Sequence, residues 1–175
     1  MSKIYGIPMT TPFNPEKLRG GANAPYELIE TITLEEDVTS VVRTQEPPER
    51  GGTPYNFEQV VLRTTFPACS FSGNTSIFYN IKNYTKSIRA YFLLPYSTTA
   101  TKRGYNRIWC ENGKYRNGWW TCVSNEGEMA TYYENPLVQG KYSKEDGNIS
   151  KIEITNGSGI PAGTVIEIWG VRADA

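Results

Sequence analysis

The run Phe57-Glu58-Gln59-Val60-Val61-Leu62-Arg63-Thr64-Thr65-Phe66 decides the fold class. It is rich in β-branched and aromatic residues, which suit a pleated, half-buried strand. Pro67 ends it, because proline fixes φ and removes a backbone donor. Upstream, Gln45 to Pro54 contains Pro47, Pro48, Gly51, Gly52 and Pro54 and reads as a loop. Before that loop, Tyr26 to Leu34 alternates. Leu28, Glu30, Ile32 and Leu34 point one way and Glu27, Ile29, Thr31 and Thr33 the other. Val38 to Thr44 follows the acidic turn Glu35-Glu36-Asp37.

Downstream the β signal continues. Thr75 to Ile81 and Ser87 to Leu94 read as strands, the second closed by Pro95. Tyr105 to Asn112 turns near Glu111-Asn112-Gly113 into Lys114 to Ser124. Glu128 to Tyr133 is short and broken by Asn135-Pro136. Ile149 to Thr155 puts Ile152 and Ile154 on one face, and Asn156 to Gly163 reads as a Gly/Pro loop before a last strand, Thr164 to Val171. No window sustains a helical period, apart from one turn near Asn14 to Leu18. Short strands punctuated by turns imply two antiparallel sheets packed face to face. The expected fold is an all-β antiparallel β-sandwich of jelly-roll type, with a barrel as the alternative.

The first stretch stands apart. Residues 1–25 contain Pro8, Pro12, Pro15 and Pro25 and end in Gly20-Gly21-Ala22-Asn23-Ala24, so they read as an extended N-terminal arm. The β-sandwich domain is expected over 26–175. The arm carries Ile4, Tyr5, Ile7, Met9, Phe13 and Leu18, more apolar bulk than a spacer needs. Two readings stand: a disordered leader, or an arm that docks on another chain through Ile4, Tyr5, Ile7, Pro8, Phe13 and Pro15.

Composition narrows the chemistry. The chain has 175 residues, with 18 Lys+Arg against 18 Asp+Glu and no His. Zero net charge speaks against a general polyanion binder and against nucleic acid as a partner. Without His, there is no Ser/His or Cys/His triad and the commonest zinc ligand is missing. No nucleophile motif, paired-carboxylate motif or phosphate-binding glycine loop is present, so no catalytic residue, metal or cofactor is expected. The opening residues lack the apolar core of a signal peptide, and no apolar run reaches the about 18 residues that cross a bilayer. Cys69, Cys110 and Cys122 form an odd set and read as free thiols, with one disulfide between Cys110 and Cys122 left open.

The remaining signal is aromatic. Tyr105, Trp109, Tyr115, Trp119, Trp120, Tyr132 and Tyr133 lie among Arg103, Arg107, Asn112, Lys114, Arg116 and Asn117. Adjacent Trp119 and Trp120 must face opposite sides of a strand. The candidate surface is Tyr105, Trp109, Trp119, Trp120, Tyr132 and Tyr133. An exposed ring there stacks on a sugar, packs against a subunit neighbour, or belongs to a second core layer.

Several segments carry a resemblance. Lys3-Ile4-Tyr5-Gly6-Ile7-Pro8 with Thr11-Pro12-Phe13-Asn14-Pro15 resembles leaders on structural proteins of tailed phages and prophages of Gram-positive, often gut, bacteria. Tyr26 to Leu34, then Val42-Arg43-Thr44 through Gly52 to Phe57, and the ending Ile160 to Arg172, resemble the opening and closing strands of small β-domains in that setting. The likeness covers both ends and is thin between about 68 and about 148. It implies a non-enzymatic virion protein, assembled in the bacterial cytoplasm. The arm would anchor it to other virion proteins of capsid or tail, and the outward β-domain would serve as a decoration, head-fibre or tail accessory protein. A homo-oligomer is expected, a trimer above all. The alternative is a receptor- or glycan-binding module that meets host-surface sugars through its Trp and Tyr residues.

Overall fold

Among the described residues, eleven strands build the domain. In the computed structural model, residues 26–69, 73–85, 87–94, 100–124, 129–131 and 137–173 are described. The strands are β1 (Glu27–Thr33), β2 (Val38–Arg43), β3 (Phe57–Phe66), β4 (Gly73–Ile81), β5 (Ser87–Leu94), β6 (Thr101–Glu111), β7 (Lys114–Ser124), β8 (Met129–Thr131), β9 (Leu137–Ser143), β10 (Ile149–Ile160) and β11 (Val165–Arg172). Every pairing is antiparallel. The expected arm residues, including Ile4, Tyr5, Ile7, Pro8, Phe13 and Pro15, and the helical turn near Asn14, lie outside the described residues.

The pairings fall into two groups. The larger sheet runs β1-β11-β3-β6-β7, and β8 and β9 share the outer edge of β7. The smaller runs β2-β10-β4-β5. A single backbone bridge, Ile149 to Phe57, joins them. Their inner faces meet in a sandwich-like all-β core. On β3 the residues Val60, Leu62, Thr64 and Phe66 alternate inward and are fully buried. From the smaller sheet come Ile77, Tyr79, Ile88, Ala90, Phe92, Ile152 and Ile154. Phe66 meets Phe92 edge-on across the gap, with ring centroids 6.1 Å apart. Gly104 makes room for that contact, since a Cβ there would sit 2.5 Å from the Phe92 ring.

The core also holds polar groups; among the described residues the Thr64 hydroxyl makes no hydrogen bond, but others are paired across the strands. Tyr79 Oη on the smaller sheet donates to Asn106 Oδ1 on the larger at 2.6 Å. Asn117 Nδ2 donates to the same oxygen at 2.9 Å and to the Arg107 carbonyl at 3.1 Å. Lys102 is fully buried and its Nζ donates to the Cys69 carbonyl at 2.7 Å. A buried polar group without a partner costs about 1–3 kcal/mol, so these pairings hold the sheets in one register.

Local irregularities correct the simple alternation. The register between β1 and β11 slips between Leu28 and Glu30, so Ile29 is an extra residue and turns into the core, 1% exposed. Glu30 then closes the sandwich edge: Arg43 Nε donates to its two oxygens at 2.9 and 3.0 Å, and Tyr55 Oη donates at 3.1 Å. A second slip, between Val171 and Arg172, leaves Glu58 extra and lets Phe57 join the core with Val60. β10 runs on to Ile160 through what the sequence marks as a loop, because a register break after Thr155 absorbs Asn156 to Gly159. The Asn156 side chain accepts the Ser158 N–H there at 2.8 Å. β9 is unforeseen in the sequence, where Gly140 and Lys141 dilute the strand signal. The turn at Asn112-Gly113 forms as expected, both residues with positive φ of 52° and 74°.

Candidate binding face

The outward face of the larger sheet gathers what the sequence scatters. Directly paired residues share a face, so the register places Trp169, Val61 and Arg107 in one row across β11, β3 and β6. The next row holds Glu167, Arg63 and Tyr105, and the next Val165, Thr65 and Arg103. Val61 is fully buried although it points away from the main core. Tyr26 and Val171 pack beside it, with Tyr105 and Trp169 half-buried around them. This is a small second core layer on the outside of the sheet.

Polar contacts stitch the layer. Tyr26 Oη donates to Gln59 Oε1 at 2.6 Å and accepts from Arg107 Nε at 3.1 Å. Burial pushes the Tyr26 phenol up, and the Arg107 charge pulls it partly back. The Arg107 guanidinium lies 5.8 Å from the Tyr26 ring centre and 4.9 Å from that of Trp109. Such contacts contribute about 0.5–1 kcal/mol at exposed sites. Trp109 in turn rests against Gly118, whose Cβ, if present, would sit 3.5 Å from the ring. Trp109 is therefore clasped by its own sheet.

The aromatic candidates divide accordingly. Tyr105 and Trp109 share the outward face of β6. Trp120 stands opposite Tyr105 in the register, and Trp119 opposite Asn106. Tyr132 and Tyr133 lie outside the described residues. Tyr115 is core, fully buried, with its hydroxyl donating to the Gly147 carbonyl at 3.1 Å. The sequence reading missed Tyr26, Gln59 and Trp169 as members of this face, because they come from opposite ends of the chain and meet only through strand pairing. It read the cysteines as free thiols and left a disulfide between Cys110 and Cys122 open. The register sets Cys110 opposite Tyr115 and Cys122 opposite Arg103, at opposite ends of the β6–β7 hairpin, too far apart for a disulfide. Cys110 is a free thiol.

The chain matches no family model and no curated protein. Among the described residues, no group of three or more His, Cys, Asp or Glu side chains is placed to hold a metal ion.

Proposed function

We propose that this chain is a non-enzymatic structural protein of a phage virion, attached by residues 1–25 to capsid or tail and displaying the β-sandwich outward. Strand order carries the reading. The chain passes between sheets so that β1-β11-β3-β6 faces β2-β10-β4-β5, which supports a jelly roll with β7 to β9 as an added segment. Jelly rolls serve in viral capsid and lectin domains, so the support is a fold-level analogy. The resemblance of both chain ends to phage structural proteins points the same way.

The polarity of the domain suits this role. Glu27 pairs with Gly170, and Arg172 with Phe57, so the start of β1 and the end of β11 leave from one end. The strand ends Thr33, Phe66, Leu94 and Ser124 lie at the other. A tether at the first end leaves the second free to project. Three such chains would add avidity to each arm contact, which favours the trimer. Removing residues 1–23 tests the proposal. The truncated chain should keep its melting transition and lose attachment to particles, and a truncated chain that still decorates particles would overturn it.

A second reading has its own observation. Tyr105 and Trp109 flank Arg107 on one outward strand face, a setting suited to a sugar, with rings to stack and polar groups to bond hydroxyls. In this reading the projecting domain is a glycan-binding module.

A further inference from the structure

We propose that the outward face centred on Tyr105 binds an anionic glycopolymer, its carboxylate or phosphate groups held by Arg63, Arg103 and Arg107. The inference rests on the glycan reading and names the class of glycan.

The argument is one of charge placement. Arg103, Tyr105 and Arg107 are successive outward residues of β6, and Arg63 stands directly opposite Tyr105 on β3. Three arginine positions thus surround that of Tyr105 in the register, about 5–8 Å apart. Among the described residues one carboxylate offsets them: Glu167 Oε2 lies 3.4 Å from Arg63 Nε. Arg107 is met by neutral oxygens, those of Tyr26 and Gln59. Arg103 Nε is buried and, among the described residues, makes no hydrogen bond. Among the described residues Arg103 and Arg107 have no carboxylate partner, so this part of the face carries an excess of positive charge. The whole chain is neutral, so the excess is local. Arginine is the side chain that grips carboxylate and phosphate by paired hydrogen bonds. The rings beside it add a stacking surface that a simple ion would not use. Arg116, by contrast, already has Glu111 at 2.6 Å and is not part of the cluster.

The test is titration calorimetry on the full chain with three probes: a galacturonic acid hexamer, an oligo(glycerol phosphate), and neutral maltohexaose. The anionic probes should bind and maltohexaose should not, with affinity falling about tenfold between about 50 and about 300 mM salt. Binding of one anionic probe alone supports the inference and assigns the source as uronate or phosphate. The double variant R63Q/R103Q should weaken binding about tenfold while melting like the parent. R103Q alone serves if the double variant does not fold. Equal binding of maltohexaose would overturn the anionic assignment and leave the glycan reading standing. No binding of any probe would overturn both. Unchanged binding by the variants, or concentration-dependent association of the chain through this face in their place, would also overturn the inference. Attachment of the chain to particles is read separately and should be unaffected by R63Q/R103Q.

Discussion

β6 presents two surfaces on one strand, and they obey different rules. Its inward residues Lys102, Asn106 and Ile108 are fully buried, and the two polar ones have partners: the Cys69 carbonyl for Lys102, and Tyr79 and Asn117 for Asn106. Its outward residues Arg103, Arg107 and Trp109 are half-buried, and the arginines lack carboxylate partners among the described residues. The difference is one of dielectric. In the interior an unmatched polar group costs its desolvation, so most are paired, the Thr64 and Thr164 hydroxyls excepted among the described residues. On the outward face water and salt screen charge, so an uncompensated cluster survives at little cost and is available for binding.

The comparison breaks most visibly at the core. Phe57→Ala removes a fully buried ring that meets Tyr55 at 5.1 Å between centroids and should cost about 4 kcal/mol. Tyr26→Ala, in the outward layer, should cost about 2 kcal/mol. Denaturant melts of the two variants measure the gap, and equal losses would make the outer layer as much core as the inner one. Next comes the polar network. Asn106→Leu strands the Tyr79 hydroxyl and leaves the Asn117 amide only its bond to the Arg107 carbonyl, with an expected loss of about 3 kcal/mol by the same melts.

Alkaline pH probes the core without mutation. Burial raises the ionisation of Tyr79 well above its ordinary 10.0, and of Tyr55 and Tyr115 as well. The folded chain holds these phenols neutral while the unfolded chain lets them ionise. Stability should therefore be unaffected by them below about pH 10 and fall above it, by up to about 1.4 kcal/mol per pH unit for Tyr79. Melting temperatures between pH 8 and pH 11 test this, and Tyr79→Phe should flatten the decline. The smallest expected effect is on the outward arginines: R63Q/R103Q should change stability by less than about 0.5 kcal/mol. A loss as large as that of Asn106→Leu would show that these arginines are structural.

Much of the fold was legible because it depends on local pattern. The β-branched run at 57–66, the Asn112-Gly113 turn and the prolines at 47, 48, 54 and 67 mark strands and breaks by their own backbone chemistry. The extra residues Ile29 and Glu58 were not legible, since a bulge is defined by the partner strand and not by the strand that carries it. β9 was missed because its pairing with β7, and not its own propensity, makes it a strand. Of the binding face, Tyr105 and Trp109 stood out as neighbours in sequence. Tyr26, Val61 and Trp169 did not, because antiparallel pairing of β1, β11, β3 and β6 brings them together from 26 to 169 along the chain.

The sequence by itself determined that the chain folds as antiparallel β-structure, where most strands begin and end, and that its charges sum to zero. Those properties follow from backbone preference, period-two patterning and composition, which each residue carries alone. Tertiary structure decided which strands are neighbours, which of two aromatic faces is core, and that Arg63, Arg103 and Arg107 take the register positions around Tyr105. Those properties depend on register, and register is chosen by the burial of the whole inner face at once.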